Sequence, residues 1–182
     1  MASPDPVPLG TLPQRMVVMG VAGCGKTSVG VALAARIGAT FRDGDDLHPA
    51  ANVAKMTAGQ PLTDDDRWPW LAKVGQALRG PALESPGRQI IGCSALKRAY
   101  REKITAMAGG PVTFILLDGS YALIKARMDA RTGHFMPPSL LKSQFATLEV
   151  PGPDENAVQV SIDQPLAGIV ADIVALLAHK AG

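Results

Sequence analysis

Short apolar runs alternate with longer stretches of helical periodicity along this chain. The runs occupy residues 16–19, a second segment ending near Arg42, then 89–93, 112–117 and 158–162. Their β-branched and continuously apolar character predicts strands buried on both faces. Between them the apolar spacing predicts helices over 26–37, 49–57, 66–78, 94–107, 121–131, 139–148 and 165–179. Thr63 or Asp64 is placed to cap the third of these, because a short polar side chain there can accept from the open amides of the first turn. Strand–helix alternation of this kind predicts an α/β fold in three layers, with a five-stranded parallel sheet covered by helices on both faces. No internal repeat and no domain linker interrupts it. The first 14 residues hold four prolines and few groups able to pack, which reads as a flexible tail ahead of a single domain over 15–182.

Composition narrows the picture. At 182 residues the chain has enough length for one core, and 47% hydrophobic against 19% charged residues fits a globular protein. With aromatics at 4%, that core must rest on aliphatic side chains and Met. A formal charge of +2 gives no ground for a nucleic-acid partner. The two cysteines, Cys24 and Cys93, make no disulfide framework, and no Cys/His cluster has zinc spacing. No apolar run is long enough to span a bilayer, and the N-terminus has neither the charged start nor the apolar stretch of a secretion signal. The expectation is a cytoplasmic protein with no membrane partner.

The clearest chemistry lies just after the first strand. Gly20-Val21-Ala22-Gly23-Cys24-Gly25-Lys26-Thr27 fits G-x-x-x-x-G-K-[ST], and it stands where its mechanism requires, between a predicted strand and a predicted helix. Glycines let backbone N–H groups converge on phosphate oxygens, and a helix N-terminus adds partial positive charge. Candidate nucleotide-binding residues are therefore Gly20, Ala22, Gly23, Cys24, Gly25, Lys26, Thr27 and Ser28. Lys26 is placed to reach the terminal phosphates of ATP, and the Thr27 hydroxyl to hold Mg²⁺. Cys24 reads as a small residue filling a small space. The alternative is a thiol activated by Lys26 and the helix terminus.

A second acidic group, Asp43-Gly44-Asp45, ends the second predicted strand. Ligands of open α/β sheets bind at the carboxyl ends of strands, and i, i+2 spacing on a strand places both carboxylates on one side. Phosphoryl transfer uses one carboxylate at the metal's water shell and another to orient the attacking hydroxyl. A plain Asp-Gly turn is the alternative. Arg127 and Arg131, four apart near a helix end, are placed to close over phosphate from a mobile lid at about 127–140. Complementing the helix dipole is the duller role. Lys97 and Arg101 also share a face at i, i+4, which by itself suits a solvated basic surface. Asp64 and Asp65 read as charges at a helix N-terminus, and Trp68 as a hydrophobic anchor, a role equally open to Trp70.

Beyond the Gly-rich loop, further segments resemble the bacterial-type gluconate kinases. They are Asp43-Gly44-Asp45-Asp46-Leu47-His48-Pro49, then Asn52, Lys55-Met56 and Asp64-Asp65-Asp66-Arg67 with Trp70-Leu71. Cys93-Ser94-Ala95-Leu96-Lys97 with Tyr100-Arg101, Gly133-His134-Phe135-Met136 and Ile162-Asp163-Gln164-Pro165-Leu166 follow in order. The resemblance runs from about Met16 to Leu177. It implies a nucleoside-monophosphate-kinase-like fold, ATP-dependent phosphorylation of D-gluconate at its 6-hydroxyl with Mg²⁺, and a homodimer. On the matching positions, Asp45 resembles the group that orients the hydroxyl, and Asp43 a ligand of the metal's water. Arg67 resembles the grip on the substrate carboxylate, a task suited to a guanidinium fork. His48, Lys55, Ser94, Lys97 and His134 are implied to line the polyol pocket, and Pro165 to lie beside adenine. A related kinase of another hydroxy acid such as shikimate is the alternative. The guanine-reading Asn-Lys-x-Asp sequence is absent, which counts against a nucleotide switch. Three positions depart from the pattern: Val150 stands where a second Glu is frequent, Arg42 where an apolar or small residue is common, and Cys24 where Ser or Ala is usual.

Overall fold

The computed structural model describes residues 9–80, 87–131 and 137–181. Five strands, β1 (Arg15–Met19), β2 (Ala39–Asp43), β3 (Arg88–Gly92), β4 (Thr113–Asp118) and β5 (Ala157–Ser161), form one sheet in the order β2-β3-β1-β4-β5. Every neighbouring pair is parallel, with Val17 opposite both Ile91 and Phe114. The expected architecture is thus present. Helices α1 (Lys26–Ile37), α2 (Ala50–Thr57), α3 (Asp64–Ala77), α4 (Arg98–Ala108), α5 (Tyr121–Asp129), α6 (Pro138–Thr147) and α7 (Leu166–Ala181) make the connections. Among the described residues no helix is long and apolar enough to cross a membrane.

Side chains alternate across a strand, so the apolar runs feed two cores. Met16 and Val18 point into one, with Leu33 and Ile37 of α1 and Ile173 and Leu177 of α7. Val17 and Met19 point into the other, with Leu71 and Val74 of α3 and Ile104 of α4. Each fully buried side chain of this kind contributes about 1.5–3 kcal/mol. Filled on both faces, the sheet leaves the carboxyl ends of its strands as the open edge.

Three boundaries differ from the sequence expectation. The helix expected from Ser94 begins at Arg98, because residues 93–97 are tied to the first strand and the Gly-rich loop. Cys93 N–H donates to Val18 O at 3.0 Å, Gly20 N–H donates to Ser94 O at 3.3 Å, and Ala95 holds φ +44°, outside helical space. Helix α3 opens at Asp64 behind Thr63, which makes a reciprocal capping box with Asp66. The segment read as tail is packed in its described part: Leu12 is buried in the first core, and Gln14 O accepts from Gln89 N–H at 2.8 Å. Residues 1–8 lie outside the described residues, as does 132–136 of the expected lid.

Candidate active site

The Gly-rich loop leaves β1 and turns into α1 through three glycines with positive φ, Gly20 (142°), Gly23 (79°) and Gly25 (99°). L side chains rarely adopt these angles. A Cβ on Gly20 would in addition meet Cys24 Sγ at 2.8 Å. Cys24 is buried under the turn, and burial pushes its thiol up despite the pull of Lys26. Both observations favour the packing role over the activated thiol. Lys26 Nζ donates to the carbonyls of Gly20 and Val21, both at 3.1 Å. Gln144 of α6 accepts from Ala22 N–H at 2.6 Å, so a side-chain oxygen caps one amide of the cradle.

The two carboxylates of Asp43 and Asp45 come together in front of this loop, though not by strand alternation. β2 ends at Asp43, and Asp45 lies in a one-turn 3₁₀ segment, Gly44–Leu47. Asp43 Oδ1 accepts from Asp45 N–H at 3.0 Å, and Asp43 Oδ2 accepts from Thr27 Oγ1 at 3.2 Å. The turn is pinned from behind by Trp70, whose Nε1–H donates to Gly44 O at 2.8 Å. Buried Trp70 is thus an anchor, and Trp68 packs partly buried against the same core, with the Tyr100 ring edge-on to it. His48 stacks on Trp70 with ring centroids 4.1 Å apart, and its Nε2 stands 3.9 Å from Asp45 Oδ1. The Asp45 side chain is 83% exposed to the open cleft. Even so, the flanking protein and then the charge of Asp43 hold its carboxyl above the usual range, a direction suited to accepting a proton.

Lys26, Thr27, Ser28, Asp43, Asp45 and Arg131 line one cleft of about 300 Å³ with Ala22, Gly23, Gly25 and Gly92. The structure separates the two arginines: Arg131 reaches the cleft, but Arg127 donates from Nη2 to Ile162 O at 2.6 Å, beside the 163–165 segment that carries Pro165.

On the acceptor side the cations are engaged. Lys55 Nζ donates to both oxygens of Asp66 at 2.8 Å, and this pairing with the Thr63 amide brings the Asp66 carboxyl down to about 2. Asp64, by spacing only a charge at a helix N-terminus, is a hub. It accepts from the Tyr100 hydroxyl and from Lys97 Nζ at 3.0 Å, with Arg67 Nη1 at 3.6 Å. These contacts lower its carboxyl, Tyr100 most of all. Thr63 and Asp66 take the capping task and leave Asp64 free for this one. Arg67 is the loosest of the three cations, 3.5 Å from Tyr100 Oη. Ser94 contributes its carbonyl to the Gly-rich loop. His134 lies outside the described residues.

Arg101 departs furthest from its expected solvated face. Its side chain is 2% exposed and forks onto Glu155, Nε to Oε2 at 2.6 Å and Nη2 to Oε1 at 2.8 Å. Its Nη1 donates to Ala95 O and Leu96 O, which braces the loop beneath the site.

A Gly-rich strand–helix turn facing an acidic pair across the carboxyl edge of a β2-β3-β1-β4-β5 sheet defines the chain as a P-loop kinase. Shikimate kinase from Aquifex aeolicus shares the fold, with a TM-score of 0.57 at 15% identity over 92% of this chain and 98% of that one. Within that class the chain belongs to the gluconokinase family. It is 51% identical to the gluconokinase of Gluconobacter oxydans over 84% of this chain and 85% of that protein. The thermosensitive gluconokinase of Escherichia coli is 46% identical over 86% and 83%. The crystal structure of a gluconokinase from Sinorhizobium meliloti superposes with a TM-score of 0.84 at 49% identity, over 93% of this chain and 94% of that one. No family model matches.

Proposed function

We propose that this protein transfers the γ-phosphoryl group of ATP to the 6-hydroxyl of D-gluconate, giving 6-phospho-D-gluconate and ADP. One observation carries the reading: a single cleft gathers Lys26, Thr27, Asp43 and Asp45. The glycine amides cradle phosphate oxygens, and Lys26 leaves the carbonyls of Gly20 and Val21 to reach them. Gln144 releases the Ala22 N–H for the same purpose. Thr27 and Asp43, 3.2 Å apart, offer the hard oxygen ligands that Mg²⁺ prefers, Asp43 through water. When bound, Mg²⁺ neutralises charge on the phosphates. Asp45 accepts the proton of the attacking hydroxyl, whose oxygen bonds to phosphorus as the bond to the ADP oxygen breaks.

Arg67 grips the substrate carboxylate, a role supported by its loose pairing with Asp64 and Tyr100. Lys55 and Lys97 act through Asp66 and Asp64, shaping the pocket wall. Arg131, from a lid at about 127–140 on a single domain, supplies charge over the transferring group, while Arg127 shapes the adenine side with Pro165. A homodimer in the cytoplasm rests on the family resemblance, and sedimentation of the purified protein reads the assembly.

An ADP-coupled assay over a panel of hydroxy acids tests the substrate. D-gluconate should far outrun shikimate and other acceptors, and equal rates would overturn the assignment. Asp45→Asn should keep ATP binding and lose about 10²–10⁴-fold in kcat. Lys26→Ala should instead impair nucleotide use with every acceptor.

A further inference from the structure

We infer that buried Asn52 fixes His48 as a neutral imidazole protonated on Nε2, and that this N–H orients the Asp45 carboxylate towards the acceptor hydroxyl. The inference deepens the proposed function and rests on it for the identity of that hydroxyl.

Asn52 is 3% exposed, on α2 between the 3₁₀ turn and α3. Its Nδ2 donates to Asp66 O at 2.8 Å and lies 3.3 Å from His48 Nδ1. The Asp66 carbonyl settles which way the amide points: reversed, two carbonyl oxygens would face each other at 2.8 Å. An NH₂ group therefore faces Nδ1. Nδ1 must accept, because a proton on it would set donor against donor. With Nδ1 unprotonated, the ring carries its proton on Nε2.

The ring cannot turn away from this arrangement. His48 is stacked on Trp70 at an interplanar angle of 16°, its side chain is 4% exposed, and its backbone N–H donates to Asp45 O at 3.2 Å. Its charged neighbours are Asp45 at Nε2 and Arg67 on α3. Burial, with Arg67 adding to it, disfavours an imidazolium against the opposite pull of Asp45.

Nε2 thus presents a donor 3.9 Å from Asp45 Oδ1, too far for a hydrogen bond in the open cleft. The Asp45 side chain is exposed and free to turn, so a small rotation closes the gap on one oxygen and leaves the other for the hydroxyl. A base oriented by a third group is the logic of activated-nucleophile sites generally. His48 and Asn52 are positioning residues on this account, and His48 need not touch the polyol.

Nitrogen-15 NMR of histidine-labelled protein, with His48 assigned by its loss in His48→Gln, reads the ring directly. The Nε2–H tautomer at neutral pH is expected; an Nδ1–H or imidazolium signal overturns the inference. Asn52→Asp should move the His48 proton to Nδ1 or protonate the ring, and an unchanged tautomer overturns it. Gln places an N–H where Nε2 stands, whereas Asn does not reach. His48→Gln should therefore retain kcat within a few-fold of wild type, and His48→Asn should lose about ten-fold or more with little change in the KM for ATP. Equal losses in the two variants overturn the positioning role. The NMR readout needs no acceptor, so a failure of gluconate turnover leaves it standing.

Discussion

Replacing Glu155 by Gln removes one charge from a pair whose other member cannot follow it into water. Arg101 is 2% exposed and Glu155 12%, and four of the guanidinium's contacts run to Glu155, Ala95 O and Leu96 O. In Glu155→Gln an amide N–H₂ or a neutral oxygen faces the buried cation in place of a carboxylate. Removing one partner of a buried ion pair costs about 3–5 kcal/mol. For a chain of this size each kcal/mol lowers Tm by about 2–4 °C, so the melt should fall by about 6–20 °C. The pH dependence gives an independent check. The hydrogen bonds from Arg101 hold the Glu155 carboxyl below its ordinary value of 4.5. Its contribution is therefore complete above that value and is lost as pH falls through the lowered folded value. Calorimetry of both proteins at neutral pH should show the full gap, and on acidification below about 4 the gap should narrow. A difference under about 1 kcal/mol at neutral pH, or a gap that widens in acid, refutes the reasoning.

Four further outcomes follow from local geometry. Thr63→Ala should lower stability by about 1 kcal/mol in urea titrations by removing the cap of α3. Asp66, paired with Lys55, should make Asp66→Asn less stable than wild type above the ordinary aspartate value of 3.8, the gap closing as pH falls through about 2. Cys24 and Cys93 are both buried with raised thiols, Cys93 to about 12, so a disulfide reagent at pH 8 should label neither until the protein unfolds; rapid native labelling contradicts the packing role. Gly44→Ala would set a Cβ 2.4 Å from Gly92 O, a backbone atom that cannot yield alone. It should cost about 1–3 kcal/mol in stability and reduce kcat by displacing Asp45 from Asp43.

The local features of this protein are legible in its sequence because they depend on neighbours a few residues apart. Apolar runs of β-branched residues become strands wherever both faces can be covered. A Gly-rich turn between strand and helix can only expose its amides, and Thr63 with Asp66 closes a cap across three positions. The family likeness extends this reading along the chain, since each of its segments can be matched separately.

What needed the tertiary structure is pairing at a distance. Spacing assigns Arg101 and Lys97 to one helical face, yet Lys97 precedes α4 as its N-cap, and periodicity alone cannot tell a solvated face from one laid against an acid 54 residues away. Nor does spacing foretell that Gln144 meets Ala22 across 122 residues, or that Asp64 accepts from Tyr100 across 36. Strand alternation predicts that Asp43 and Asp45 meet, but a capped 3₁₀ turn pinned by Trp70 is what brings them together. Helix α4 starts late for a similar cause, because the Gly-rich loop claims the Ser94 carbonyl. Local sequence selects which groups are available, and the order of strands in the sheet decides which of them meet.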